Sequence, residues 1–193
     1  MNQDTPEYYF KNTREWQEWL HDNHVHSSGI YLIFYAVAHP KESMRWEEAV
    51  RVALCYGWID STVKSLGNGK RRQYFCKRKP KSVWSKVNKD HIKTLKKEGL
   101  MHSSGLAAIT IAKKNGSWTA LDAVEKGVIP QDLQLAFNGN TLAFKNYKKF
   151  TKGQQKGYLY WLNQAKRQAT REKRIIEIIR LSQANVKYRN GGR

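Results

Sequence analysis

The longest apolar run, Ile30-Tyr-Leu-Ile-Phe-Tyr-Ala-Val-Ala38, decides most of what this chain can become. Its β-branched and aromatic side chains suit a pleated surface, and its shortness favours a buried strand over a helix. Spanning a bilayer takes about 20 consecutive apolar residues, so membrane insertion is not expected. Gly29 releases the run and Pro40 ends it. A strand of this kind needs sheet partners beside it and helices over it.

Both are legible nearby. Asn12-Thr-Arg-Glu15 reads as a helix N-cap with Glu at N3, followed by Trp16, Trp19 and Leu20 at helical spacing. Trp46, Ala49, Val50, Ala53 and Leu54 form the apolar stripe of a second helix that stops at Tyr56-Gly57. Trp58-Ile-Asp60 and Arg71–Lys77 are extended runs around Gly67-Asn68-Gly69, which predicts a β-hairpin over residues 58–77 and a small antiparallel sheet of three strands or so. After Pro80, Ser82 or Ser85 caps a helix that runs through Lys97 and closes at Glu98-Gly99. Beyond it the pattern is helical, over 105–115, 121–125, 132–138, 155–168 and 170–184, with Thr151-Lys-Gly-Gln154 as a capping box. The Asn190-Gly-Gly-Arg193 tail is expected to fray. The fold class is therefore α+β: an α+β domain over residues 1–128 and a helical C-terminal region over 129–193.

Charge is the second constraint. Lys and Arg number 35 against 16 Asp and Glu, a formal +19, far more than solubility requires. Residues 64–97 hold thirteen Lys or Arg and a single acid, Asp90. Trp58, Tyr74, Phe75 and Trp84 are interleaved with these cations, the combination that stacks bases while holding phosphates. An anionic partner, nucleic acid above others, is the expected ligand, with Trp58 and Trp84 as stacking candidates. The alternative is that the aromatics pack inward and the charges form a solvated face.

The sharpest local element is Arg78-Lys-Pro-Lys-Ser-Val-Trp-Ser85. A capped helix start exposes amide N–H groups at the positive end of the helix dipole, so Arg78, Lys81, Ser82, Ser85 and Asn88 are candidate anion-binding residues. A helix start with merely solvated cations is the plainer alternative. Arg167, Arg171 and Arg174, spaced i, i+4, i+7, suggest a secondary basic face.

Asp60 is the one acid between Trp58 and Lys89, either a weak candidate base or a partner for Arg78 or a lysine across the hairpin. Cys76 precedes Lys77-Arg78, cations that favour a thiolate, whereas Cys55 reads as core. Two cysteines make no disulfide scaffold. His21, Asp22, His24 and His26 could supply metal donors, although a polar loop is the better reading, and neither metal nor cofactor is expected. Met1–Glu7 shows no charged segment followed by an apolar one, so the expected location is the cytoplasm. No Walker-type loop, Gly-x-Gly-x-x-Gly, Gly-x-Ser-x-Gly or His-Glu-x-x-His motif occurs.

Ala53-Leu-Cys-Tyr-Gly-Trp-Ile-Asp60, Lys79-Pro-Lys-Ser-Val-Trp-Ser-Lys-Val-Asn88, Gly99-Leu-Met-His-Ser-Ser-Gly105 and Ala165-Lys-Arg-Gln-Ala-Thr-Arg171 together resemble the YdeI/OmpD-associated family, over nearly the whole chain. The resemblance implies a bacterial protein tied to stress, bacteriocin protection and resistance to cationic antimicrobial peptides. It implies no reaction, so it transfers no catalytic residue. The family usually has Pro-Arg before its Ser-Val-Trp-Ser element; here the stretch is Cys76-Lys77-Arg78-Lys79-Pro80, which keeps the arginine but not the first proline. Three functions stay open: a non-enzymatic anion binder, an enzyme on a phosphorylated or carboxylated small molecule with Asp60 as base, and a basic module that meets an acidic protein.

Overall fold

A computed structural model describes residues 5–189; the tail Asn190–Arg193 lies outside them. The described chain forms two compact units, one reaching Thr119 and the other starting at Ala120. The first is α+β and the second is wholly helical.

In the first unit the elements run β1 (Glu7–Tyr9), α1 (Thr13–Asn23), β2 (Gly29–Tyr35), α2 (Trp46–Cys55), β3 (Trp58–Gly67), β4 (Lys70–Lys77), α3 (Lys86–Lys97) and α4 (Ser103–Lys114). The sheet has four strands in the order β1-β2-β4-β3. It is mixed, not purely antiparallel, because β1 pairs parallel to β2 in the register Glu7↔Tyr31. Strand β1 escapes a reading of local pattern because three residues carry no periodicity, and their partner lies beyond the whole of α1.

Strand β2 occupies the middle of the sheet. Ile30, Leu32 and Phe34 point to one face and are buried there with Trp16, Leu20, Val50, Leu54, Trp58 and Phe75. The strand stops at Tyr35, three residues short of the apolar run's end, and Val37 is 80 % exposed. The chain turns there: Ala36 donates its N–H to Gly69 O and His39 returns its own to Ala36 O. Between β3 and β4 the turn residues Asn68 and Gly69 have φ +48° and +68°. Two consecutive left-handed residues match the right-handed twist of a hairpin, which is why Asn-Gly sits there.

The second unit contains α5 (Asp122–Glu125), α6 (Gln131–Asn138), α7 (Thr141–Lys149), α8 (Lys152–Asn163) and α9 (Gln168–Gln183). Its core gathers Leu133, Phe137, Tyr147, Phe150, Tyr158, Leu162 and Ile178. Thr151 accepts from Gln154 N and Gln154 Oε1 accepts from Thr151 N, closing the capping box that starts α8.

Candidate anion-binding surface

Strand β4 delivers Arg78 to the base of the loop that leads into α3. Its backbone N–H reaches Gly57 O at 3.0 Å, and its side chain folds under that loop. The guanidinium carbon lies 3.6 Å from the centroid of the Trp84 ring, and Nη1 donates to Val83 O at 3.1 Å. Arg78 is only 9 % exposed, and its Nε and Nη2 are buried without a hydrogen-bond partner among the described residues. Burial pulls its pKa down to about 10, opposed by the negative charge of Asp60. A guanidinium held this way shapes the loop from beneath instead of facing solvent.

The loop is also held from the α4 side. Asn115 Nδ2 and Ser117 Oγ both donate to Pro80 O, at 2.8 and 3.3 Å, and Trp118 packs against Trp84 with ring centroids 5.0 Å apart. Ser85 is the N-cap of α3, its Oγ accepting from Asn88 N at 3.2 Å. The structure thus brings Arg78, Trp84 and Ser85 together. Ser82 and Asn88 are half-buried, and Lys81 stands in solvent.

Neither expected stacking residue has an open face. Trp58 is 0 % exposed and donates its Nε1–H to His24 O at 3.3 Å, with Trp16 and Trp19 edge-on against it; Trp84 is 1 % exposed. Trp58 begins β3 and Trp84 sits in the loop before α3, and both indoles belong to the hydrophobic core of the first unit. The most exposed indole among the described residues is Trp46, 41 % exposed at the first turn of α2, although its spacing had placed it in the buried stripe of that helix.

Trp46 is fixed by Asp60. The Oδ2 atom of Asp60 accepts from Trp46 Nε1 at 2.9 Å and from Nε2 of the buried Gln73 at 2.5 Å, joining α2, β3 and β4. Where a cross-hairpin cation was expected, two neutral donors hold that carboxylate. Trp46 then lines a groove of about 780 Å3 between the hairpin and the segment that enters α2. Phe34, Met44 and Val63 supply apolar wall, while Arg45, Lys70 and Arg71 supply charge; among the described residues no acid lines it.

Around these features lies a cationic field. Arg72 pairs with Glu7 and stacks over Tyr31 at 4.4 Å, and Lys86 pairs with Asp90. Lys64, Lys77, Lys79, Lys81, Lys93, Lys96 and Lys97 are exposed and make no ion pair among the described residues.

The secondary basic face of the helical unit dissolves into structural contacts. Arg171 embraces Asp132 through Nε and Nη2, the latter at 2.9 Å, and holds that carboxyl below the usual aspartate range. Arg174 donates to Trp161 O and lies 5.0 Å from its ring. Of the three arginines only Arg167, the N-cap of α9, stays exposed. The partner of Arg171 is 39 residues away, so spacing along one helix could not reveal it.

Cys76 is half-buried, and burial raises its pKa above the ordinary thiol value despite the opposing charges of Lys79 and Arg78; the expected thiolate is not favoured. Cys55 is core, pushed up to about 11. His24 is buried with Nδ1 2.8 Å from Leu20 O, and among the described residues no group of His, Cys, Asp or Glu is placed to hold a metal ion. Unforeseen was His102, whose Nδ1 accepts from Ser104 N to cap α4, with its ring stacked on Tyr56 at 4.9 Å.

Residues 8–108 match the family model described as Domain of unknown function (DUF8412), and residues 126–185 match Bacteriocin-protection, YdeI or OmpD-Associated. The YdeI/OmpD-associated match thus lies within the helical unit and takes in α6 to α9 but not α5, whereas the Gly57-Trp-Ile-Asp60 and Pro80–Asn88 elements fall within the other domain. No curated protein and no solved structure matches the chain.

Proposed function

We propose, for a chain that belongs to the family described as Domain of unknown function (DUF8412) and carries a YdeI or OmpD-associated region, a non-enzymatic role: binding an anionic polymer, nucleic acid above others, in the cytoplasm. The observation that carries this reading is the set of exposed lysines without ion-pair partners among the described residues, on the hairpin, on the Lys79–Lys81 loop and along α3. Cations without internal partners keep their counterions until a polyanion displaces them, and that release drives association without regard to sequence. Lys79 and Lys81 flank Pro80, whose carbonyl is held by Asn115 and Ser117, so the loop offers its charges from a fixed position.

The bacteriocin-protection description of residues 126–185 agrees with such a role in one respect. At +19 the protein repels a cationic peptide, so direct capture of such a peptide is disfavoured and an anionic cell component is the better target. The enzymatic alternative has less support: Oδ2 of Asp60 is engaged by Trp46 and Gln73, and it orders structure there.

Titration of a fluorescent single-stranded oligonucleotide with the full chain at several salt concentrations tests the proposal. The expected result is binding that weakens steeply with salt. Absence of binding at low salt, or affinity indifferent to salt, overturns it.

A further inference from the structure

Resting on that polyanion reading, we infer that the groove beside Trp46 is a base-binding subsite, in which an unpaired nucleobase stacks on the indole while its flanking phosphates meet Arg45, Lys70 and Arg71.

Three properties of the groove lead there. Its aromatic surface is both open and fixed. Trp46 is exposed, yet its N–H is tied to Asp60, whose other donor, Gln73, is buried in the sheet. A ring already held in place loses little freedom when a second ring stacks on it, which favours binding. The hydrogen bond uses the edge of the indole and leaves the face available for stacking.

The groove's size and chemistry also fit. Its volume of about 780 Å3 lies within the range of about 300–1,000 Å3 common to ligand clefts. Phe34 and Met44 give it an apolar floor, which suits the flat and poorly solvated body of a base.

The charges that line the groove have one sign. Arg45 precedes the helix, and Lys70 and Arg71 begin β4 just after the Asn68-Gly69 turn, so cations come from both walls. No carboxylate is among the described lining residues, so the charges of the lining attract a phosphodiester, while Asp60 sits at the indole edge, engaged by Trp46 and Gln73. A duplex keeps its bases stacked on each other, whereas an unpaired base of a single strand is free to stack on the indole. An acidic peptide satisfies the cations but leaves Trp46 without a flat partner.

The test uses the full chain and three probes of equal length: oligothymidylate, the corresponding abasic deoxyribose-phosphate strand, and polyglutamate. Oligothymidylate is expected to bind more tightly than either of the others. Trp46→Ala should weaken oligothymidylate about 10-fold and leave the abasic strand unaffected, because stacking supplies base but not backbone affinity. Trp46→Phe, which keeps a ring and loses the indole N–H, should recover most of that loss; this separates stacking from damage to the Asp60 contact. Arg71→Gln should weaken both nucleic-acid probes and lower the salt dependence. If the wild type binds all three probes equally, or Trp46→Ala changes nothing, the subsite falls while the polyanion reading stands. If no probe binds at low salt, both fall. If polyglutamate binds most tightly, the groove takes acidic protein and the base assignment is overturned.

Discussion

The Arg78 guanidinium lies 3.6 Å from the centroid of the Trp84 ring, and both residues are buried. A planar cation over an indole gains from the ring's negative face, and more so once water is excluded. The same pair joins the end of β4 to the loop before α3, since Nη1 also holds Val83 O. The sequence motif that had suggested a ligand contact is therefore, at Arg78 and Trp84, the internal strut of the surface.

Trp84→Ala should accordingly lower the unfolding free energy by about 3–5 kcal/mol, the range for deleting a large buried aromatic. Arg78→Lys keeps a charge but loses the flat stacking geometry and the donor fork, and should cost about 1–3 kcal/mol. Urea unfolding followed by near-ultraviolet circular dichroism measures both. Values within about 0.5 kcal/mol of wild type, the usual range for surface substitutions, would show that the pair is not a strut.

How far the sequence revealed this molecule depended on whether the cause was local. Asn12 caps α1, Ser85 caps α3, the Thr151 box opens α8, and Asn68-Gly69 turns the hairpin, each where a few neighbouring residues determine the backbone. Strand β1, the Asp60–Trp46 link and the Asp132–Arg171 pair depend on residues brought together from 14 or more positions apart, which no periodicity encodes. Site residues suffered most, because the same Trp-rich basic pattern serves a stacking surface and a strut equally well. Only burial separates Trp58 and Trp84 from Trp46.

A second prediction concerns acid. His102 caps α4 through a neutral Nδ1, and burial, then His24 and His21, lower its pKa below the ordinary histidine value. Its ring faces His24 at 4.9 Å, His21 at 6.2 Å and Tyr56 at 4.9 Å, and the hydroxyl of Ser104 lies 2.9 Å from Nδ1. A depressed folded pKa means that the unfolded chain takes up a proton first. The stabilisation is therefore complete above the ordinary value near ~6.5 and is lost as pH falls through the lowered folded value. Unfolding midpoints in urea should drop between about pH 7 and pH 5, the interval that brackets histidine titration. His102→Asn, which caps without titrating, should flatten that dependence, and an unchanged slope would remove His102 as its source.

The helical unit should respond at lower pH. The Arg171 guanidinium beside Asp132 depresses that carboxyl, so its contribution is fully present above the ordinary aspartate range and disappears as pH falls through the lower folded value. Asp132→Asn should remove this acid-dependent component, and at neutral pH should cost about 1 kcal/mol or less, given the partial exposure of the pair. Circular dichroism in the far ultraviolet during acid titration reports the difference.

The same pair makes a control for ligand binding. Lys79→Gln with Lys81→Gln removes two exposed cations without breaking an ion pair among the described residues, so oligonucleotide affinity should fall with little change in stability. For a single strand the slope of log affinity against log salt should become shallower by about 0.7 for each phosphate that is no longer neutralised. Arg171→Gln also removes one positive charge, but one already committed to Asp132. It should lower thermal stability and leave the salt slope in place. Equal losses of slope from the loop lysines and from Arg171 would mean that binding senses net charge alone, whereas a loss confined to the loop assigns the phosphate contacts to the Lys79–Lys81 surface.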